Sequence, residues 1–204
     1  MKIKVFTNGP FATNCYVVAD EVAKKALLID CAHGSFLEIS TLLQEEGWEL
    51  EKAVLTHSHF DHIGDLKRIQ EAFSPRIYVH ASDKQNLLHP GSDKIPLICA
   101  TQGVRSDCEL KEGDTLKIGS IEIQVLEVPG HCPGSLAFFL PNEKVVFGGD
   151  LIFKNGRGRT DLPGCNTKIL FESIAKILAL GDDVVIFSGH GEKTTVGQER
   201  RHYA

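Results

Sequence analysis

A histidine-rich segment directly after a short apolar run limits the folds that this chain can adopt. Ala53-Val54-Leu55 has the composition of a buried strand, and residues 56–62 read Thr-His-Ser-His-Phe-Asp-His. Imidazole and carboxylate are the groups that zinc and related metals prefer as ligands, and four of them crowd into six positions. Apolar residues at helical spacing follow between Ile63 and Phe73. The segment therefore joins a strand to a helix, which is where open α/β folds bind ligands.

Three further strand ends carry donors of the same kind. His131 lies in a Gly/Pro-rich turn after the predicted strand 121–128, Asp150 follows two glycines after the predicted strand 145–147, and His190 follows the predicted strand 184–187. The four strand ends together supply seven donors: His57, His59, Asp61, His62, His131, Asp150 and His190. Seven donors are too many for one tetrahedral zinc ion and suit two ions that share a carboxylate.

The other elements follow from apolar spacing and from turn residues. They are strands at 3–6, 15–19, 26–30, 76–80, 116–118 and 136–140, and helices at 35–47, 82–88 and 167–180. This order predicts two sheets packed face to face with helices outside them. We expect one domain over residues 1–204, without a separate C-terminal helical domain. A capping box at Thr195 predicts only a short terminal helix.

Two features of the sequence are open to more than one interpretation. Residues 89–107 lack a regular pattern and form either a plain surface loop or a wall of a substrate site. Asp30 ends a predicted strand, and we interpret it as a turn former rather than as a partner of the metal site.

Composition argues against several classes of partner. The net charge is −5 and the pI is near 6.0, which gives no global electrostatic reason to bind nucleic acid or membrane. No apolar run approaches the roughly 18 residues of a membrane span, and the N-terminus lacks the apolar region of a signal peptide. We therefore expect a cytoplasmic protein whose six cysteines are reduced. The sequence leaves the oligomeric state and any role of Cys132 open.

The donor segments also resemble a known family. Thr56–His62 with Ile63-Gly64, Gly130-His131, Gly149-Asp150 and Ser188-Gly189-His190 resemble, in order, the metal-binding signature of the metallo-β-lactamase superfamily. Residues 156–164 and 194–200 resemble its short, single-domain glyoxalase II-like (hydroxyacylglutathione hydrolase-like) branch, although persulfide dioxygenases carry a similar Gly-Arg-Thr-Asp segment. The resemblance implies an α/β (α+β) fold, the four-layer αββα sandwich of the metallo-β-lactamase type, with the site at one edge of the sheets.

The resemblance further implies how two divalent ions share the donors. The first ion takes His57, His59 and His131, the second takes Asp61, His62 and His190, and Asp150 contacts both. Asp61 and Asp150 are then the catalytic carboxylates, acting with a hydroxide that bridges the ions. Zinc is the expected metal, with iron and manganese as alternatives, because such donor sets accept all three.

Hydrolysis of a thioester suits such a site, because a thiolate departs without a strong general acid. The resemblance implies a glutathione thioester such as S-lactoylglutathione as the substrate. It also makes Arg159 the candidate for binding the substrate carboxylate, although Arg159 could equally brace its own loop against Asp161. Three other functions stay open at this point: a mononuclear iron persulfide dioxygenase, a hydrolase of another ester, lactone or phosphoester, and a non-enzymatic metal-binding protein.

Overall fold

The computed structural model of the protein describes residues 1–203, and in this range the chain forms two six-stranded sheets and a small hairpin. The first sheet contains, in spatial order, β1 (Lys2–Asn8), β2 (Thr13–Asp20), β3 (Lys25–Ile29), β4 (Glu49–Val54), β5 (Arg76–His80) and β6 (Cys108–Leu110). Strands β1 to β3 are antiparallel, and β3 to β6 are parallel. The helices α1 (Phe36–Glu46), α2 (Leu66–Phe73) and α3 (Lys84–Leu88) lie between the parallel strands in the chain.

The second half of the chain builds the second sheet. Its elements are β7 (Thr115–Ile118), β8 (Ile121–Glu127), β9 (Leu136–Leu140), β10 (Val145–Gly149), the hairpin of β11 (Ile152–Phe153) and β12 (Gly156–Arg157), α4 (Thr167–Leu178), β13 (Val185–Ser188), β14 (Thr194–Thr195) and α5 (Val196–Glu199). The spatial order is β14-β13-β10-β9-β8-β7, and the β10–β13 pair is parallel. Short 3₁₀ turns at Ala81–Asp83 and Arg200–His202 complete the described elements.

Three apolar clusters separate four layers. The inner faces of the two sheets pack together, with Leu27 and Ile29 of the first sheet in one cluster with Phe138 and Phe147 of the second. Helices α1 and α2 cover the outer face of the first sheet, and α4 covers the outer face of the second. Strand β2 is buried along its whole length because layers cover both of its faces. The predicted αββα sandwich is confirmed.

Local signals place most helix ends where the sequence predicts them. Helix α1 ends at Gly47, whose φ of 64° lies in the left-handed region that glycine adopts without strain. The side chain of Thr195 accepts a hydrogen bond from the Gln198 backbone N–H at 3.2 Å, so the short α5 begins as predicted. Helix α2 begins at Leu66 rather than at Ile63, because residues 63–65 belong to the turn that carries the histidine segment.

The four donor-bearing strand ends meet at one edge of the sandwich. Parallel pairing sends the chain out of β10 and β13 on the same side, and β8 also ends there because β9 is antiparallel to both β8 and β10. Backbone hydrogen bonds then tie the two sheets together at this edge, from Leu136 N to Thr56 O and from Asn14 N to Gly189 O, both at 2.7 Å. Every helix within residues 1–203 is too short or too polar for a transmembrane segment.

Candidate metal centre

All seven side chains predicted as metal donors converge at this edge. Their possible ligand atoms form three groups whose members lie within 4.8 Å of one another: His57, His59 and His131; Asp61, His62 and His190; and His57, His62 and Asp150. The first two groups are the two triads that the family resemblance implies. We call them the first triad and the second triad. The third group contains one member of each triad, so the two triads are neighbours.

Asp150 lies between the two triads. Its Oδ1 is 3.4 Å from His62 Nε2, and its Oδ2 is 3.3 Å from His190 Nε2 and 3.6 Å from His131 Nε2. Donors around a tetrahedral ion with bonds of about 2.0–2.1 Å lie about 3.3 Å apart. The spacing of these atoms therefore fits metal ions that share the Asp150 carboxylate.

Three polar atoms at the centre are buried and have no hydrogen-bond partner among the described residues: His57 Nε2, His62 Nε2 and Asp150 Oδ1. Buried polar atoms without a partner are rare in folded proteins, because each has lost its contact with water. These three point at the same small region of the site. Divalent cations at the two triads fit this donor set, since they would satisfy His57 Nε2, His62 Nε2 and Asp150 Oδ1.

Hydrogen bonds on the far side of two rings fix which nitrogen faces the centre. His62 Nδ1 donates to Asp30 Oδ2 at 2.8 Å. The Thr56 hydroxyl donates to the same oxygen at 2.7 Å, so it is free to accept from His57 Nδ1 at 3.1 Å. In the neutral form of each ring the proton therefore lies on Nδ1, and Nε2 is the atom that can bind a metal ion.

Backbone carbonyls orient the other rings in the same way. His131 Nδ1 donates to the Arg159 carbonyl at 2.9 Å, and His190 Nδ1 donates to the Phe11 carbonyl at 3.0 Å. His59 differs, because its Nδ1 is the atom that faces the centre, 3.0 Å from His131 Nε2. Four of the five rings, those of His57, His62, His131 and His190, are thus held by groups outside the donor set, and such partners raise metal affinity by fixing orientation.

Electrostatics differ between the two triads. Burial lowers the pKa of His57 well below its usual range, and burial lowers the pKa of His59 to about 3, with neighbouring histidines acting in the same direction in both cases. These two imidazoles are therefore neutral, which is the form that binds metal.

The second triad has more carboxylates around it. Burial would lower the pKa of His62, but Asp61, Asp150 and Asp30 outweigh it and hold that pKa well above its usual range. Burial would raise the pKa of Asp150, but His62 and His190 hold it well below its usual range. Asp150 is therefore an ionised carboxylate in the interior, where a cation stabilises it.

Two glycines allow the strand ends to approach this closely. Gly149 has a φ of 53°, and a Cβ there would lie 2.7 Å from the Cβ and Oγ1 of Thr56. A Cβ at Gly189 would overlap Asp150 Oδ1 and would lie 2.9 Å from His62 Cε1. A larger residue would displace Thr56 at the first position and the donors Asp150 and His62 at the second.

The interpretation of Asp30 as a turn former rather than a partner of the site is wrong. Its φ of 57° does turn the chain, but its carboxylate is only 2% exposed and binds Thr56 N, Thr56 Oγ1 and His62 Nδ1. Its place at a strand end, like that of Asp150, was the signal that could have revealed it. Thr13 was missed entirely, although its hydroxyl donates to Asp61 Oδ2 at 2.8 Å.

Arg159 braces its own loop, and its role in binding a substrate carboxylate stays a prediction. Its Nε and Nη2 each donate to a carboxylate oxygen of Asp161 at 2.7 Å, which braces the loop. The same side chain also lines the cavity above the donors. Arg159 is 60% exposed, so its guanidinium remains accessible to a ligand.

Cys132 does not face the donors. Its thiol donates to Asp83 Oδ1 at 3.1 Å, and burial raises its pKa above the usual thiol range. The thiol is therefore protonated and acts as a hydrogen-bond donor. All six cysteines are free thiols.

A cavity of about 320 Å³ opens directly above the donors. Residues of both triads and Asp150 form its floor, and Arg159 lies at its side. Its apolar wall consists of Phe11, Phe60, Ile95, Pro96, Ile98 and Leu162. Three of these belong to the irregular segment 89–107, so that segment forms a wall of the site rather than a plain surface loop.

Comparison with known proteins identifies the family. The model of the Metallo-beta-lactamase superfamily matches residues 8–190. The chain belongs to this superfamily. Hydroxyacylglutathione hydrolase GloC of Haemophilus influenzae is 33% identical over 209 residues, which cover 98% of this chain and 96% of GloC.

Two solved structures resemble the whole superfamily domain described above. BLEG-1, a B3 metallo-beta-lactamase, is 35% identical with a TM-score of 0.91, over 99% of this chain and 98% of that one. TTHA1623 in a di-iron-bound form is 34% identical with a TM-score of 0.85, over 97% of each chain. The family and the His/Asp cluster together indicate a metal-dependent hydrolase that binds divalent metal.

Proposed function

We propose that this protein is a dinuclear metal-dependent hydrolase of thioesters. The arrangement of Asp150 carries the proposal, because its Oδ2 lies 3.6 Å from His131 Nε2 of the first triad and 3.3 Å from His190 Nε2 of the second. Its Oδ1 lies 3.4 Å from His62 Nε2 of the second triad. A single ion would use only one triad and would leave a buried ring nitrogen of the other, His57 Nε2 or His62 Nε2, without a partner. The di-iron form of TTHA1623 supports the same stoichiometry.

The donors divide between the two ions by triad. The first triad would hold one ion, the second triad would hold the other, and Asp150 would contact both. When bound, divalent ions would supply a hydroxide nucleophile near neutral pH and polarise an acyl carbonyl. Zinc is the metal we propose, and iron or manganese would fit the same donors.

The protein's own residues prepare the site for that chemistry. Asp30 and Thr56 orient His62 and His57, so the ligand atoms do not have to reorganise during turnover. The Thr13 hydroxyl holds Asp61 through its Oδ2.

The choice of a thioester follows from the acids available. Among the described residues that line the cavity, every Asp and His belongs to the donor set, and the remaining ionisable group is Arg159. Arg does not deprotonate in proteins and is a poor general acid. A thiolate leaves without protonation, whereas the amine released from an amide or lactam needs a proton. The site therefore favours thioesters over lactams.

The similarity to GloC supports a glutathione thioester, such as S-lactoylglutathione, as a substrate. Arg159 would bind a carboxylate of the glutathione moiety, because guanidinium binds carboxylates in a bidentate manner. The assay also measures two alternative activities. One is lactam opening, because BLEG-1 is a B3 metallo-beta-lactamase, and the other is the oxidation of glutathione persulfide.

A parallel assay of one preparation tests the proposal. Hydrolysis of S-lactoylglutathione is followed by loss of thioester absorbance, beside a chromogenic cephalosporin and oxygen uptake with glutathione persulfide. We expect thioester turnover that His190→Ala removes and that His202→Ala, a change at an exposed histidine outside the site, leaves intact. Oxygen uptake without thioester turnover, from protein that holds one iron, would replace the hydrolase with a dioxygenase.

A further inference from the structure

The cavity above the donors has more apolar surface than hydrolysis itself requires. Phe11 is 45% exposed and Ile98 is 66% exposed, although both are large apolar side chains. They lie beside polar donors and line the same cavity. Apolar surface left open beside a polar site marks a place where a ligand buries apolar groups.

One side of this wall is a fixed aromatic pair. The rings of Phe11 and Phe60 meet edge to face with their centroids 5.7 Å apart. Phe60 belongs to the histidine segment and is only 6% exposed, so it holds the Phe11 ring from behind. The Phe11 carbonyl also accepts the hydrogen bond from His190 Nδ1. The aromatic surface is therefore positioned by the second triad itself.

The other side of the wall is the segment 89–107, which hydrogen bonds hold in place on both sides of its apolar residues. The side-chain oxygen Asn86 Oδ1 accepts from Gly91 N at 3.0 Å and from Asp93 N at 3.2 Å. Further along, the Thr101 hydroxyl and His33 Nε2 form a hydrogen bond of 3.2 Å. Ile95, Pro96 and Ile98 lie between these fixed points. A wall formed before the ligand arrives costs less conformational entropy on binding.

The charges around the cavity do not match a peptide-like ligand with several charges. Arg159 is the one Lys or Arg among the cavity-lining residues of the described chain, so the cavity offers a cationic partner to one carboxylate at most. Glutathione carries two carboxylates and an ammonium group, each of which would need a partner or water. The apolar wall offers none of these partners.

We propose that the preferred substrates are thioesters that carry an apolar chain, which binds against the wall formed by Phe11, Phe60, Ile95, Pro96, Ile98 and Leu162. This inference rests on the proposed thioester hydrolysis and names the substrate class for it. The apolar chain belongs either to the acyl group or to the thiol, and the two sources differ only in which side of the scissile bond contacts the wall.

Two matched series of neutral thioesters test the inference on the metal-loaded enzyme. In one series the thiol is N-acetylcysteamine and the acyl group lengthens from acetyl to hexanoyl. In the other the acyl group is acetyl and the thiol lengthens from ethanethiol to hexanethiol. We expect kcat/KM to rise about fourfold for each methylene that the cavity buries, in one of the two series. S-Lactoylglutathione should be hydrolysed less efficiently than the best neutral thioester.

A binding experiment and a matched pair of variants locate the effect. Calorimetric titration with thioethers of the same lengths, which cannot be hydrolysed, should show the same dependence on chain length. Ile98→Ser should lower the increase in kcat/KM and in affinity to about twofold or less per methylene, since part of the apolar wall becomes polar. Leu37→Ser changes a residue of α1 that is 68% exposed and lies outside the cavity lining, so the increase per methylene should stay as in the wild type.

The outcomes separate the two proposals. Hydrolysis of thioesters with no dependence on chain length in either series would overturn the apolar-chain inference and leave the hydrolase intact. A clear preference for S-lactoylglutathione over every neutral thioester would do the same. Failure to hydrolyse any thioester would overturn the proposed function and this inference with it.

Discussion

Asp30→Asn removes one acceptor from the network behind the second triad without touching a predicted ligand. Asp30 Oδ1 accepts from Thr56 N at 2.8 Å, and Oδ2 accepts from both His62 Nδ1 and the Thr56 hydroxyl. An asparagine keeps one oxygen and replaces the other with an NH₂ group, which cannot accept. Whichever way the amide lies, at least one of these donors loses its partner.

The expected loss of metal affinity follows from the hydrogen bond that the substitution removes. A hydrogen bond to an ionised group contributes about 1.5–3 kcal/mol, and changing a partner that orients a metal-binding histidine lowers metal affinity by about 10- to 100-fold. The two ranges agree, because a 100-fold change corresponds to about 2.7 kcal/mol. We expect the ion at the second triad to be affected first, since His62 belongs to that triad and contacts Asp30 directly.

Competition with a chromophoric chelator measures the metal affinity of the wild type and of Asp30→Asn. The control variant is Asp20→Asn. Asp20 is 6% exposed and also accepts several hydrogen bonds, from Val22 N, Ala23 N and Ser120, but at the opposite end of the β2–β3 pair. Both variants should lose thermal stability without metal, because each disrupts a buried carboxylate. Only Asp30→Asn should lose metal affinity. Equal affinities in wild type and Asp30→Asn would refute the orienting role of Asp30.

Other changes test the remaining parts of the account. Asp150→Ala should abolish activity and most metal binding, as measured by elemental analysis, because its carboxylate lies beside His131 of the first triad and His190 of the second; full occupancy would disprove sharing. Arg159→Ala should raise KM for S-lactoylglutathione several-fold while kcat/KM for a neutral thioester stays constant; equal effects on both substrates would exclude carboxylate binding. Gly189→Ala should weaken metal binding by displacing Asp150, whereas Gly148→Ala, whose Cβ would make only an ordinary 3.7 Å contact, should not; identical metal affinities would contradict the steric argument.

The predicted donors depend on local sequence, which is why the sequence reveals them. His131, Asp150 and His190 each follow a strand within a few residues and lie in a glycine-rich turn, so each can be recognised without knowing the fold. The αββα layers follow from the order of strands and helices. The short strand Cys108–Leu110 was not predicted, because three residues that pair only with β5 carry too little side-chain pattern.

The partners of the donors depend on contacts between distant segments. Thr13 binds Asp61 across 48 positions, and Asp30 binds His62 across 32. Nothing near Thr13 in the sequence distinguishes it from any other strand residue. The apolar wall also depends on distant segments, because Phe11 and Ile98 come from loops that meet only in the folded protein. The ligand roles, the single domain over residues 1–204 and the cytoplasmic location stay predictions.

The metal-to-protein ratio of the purified protein tests the central claim most directly. Elemental analysis of protein expressed without added metal, then saturated with zinc and desalted, gives the number of ions held at the site. Two triads that share Asp150 predict two ions per chain, falling to one in His190→Ala. A ratio of one in the wild type, unchanged by His190→Ala, would contradict the dinuclear site.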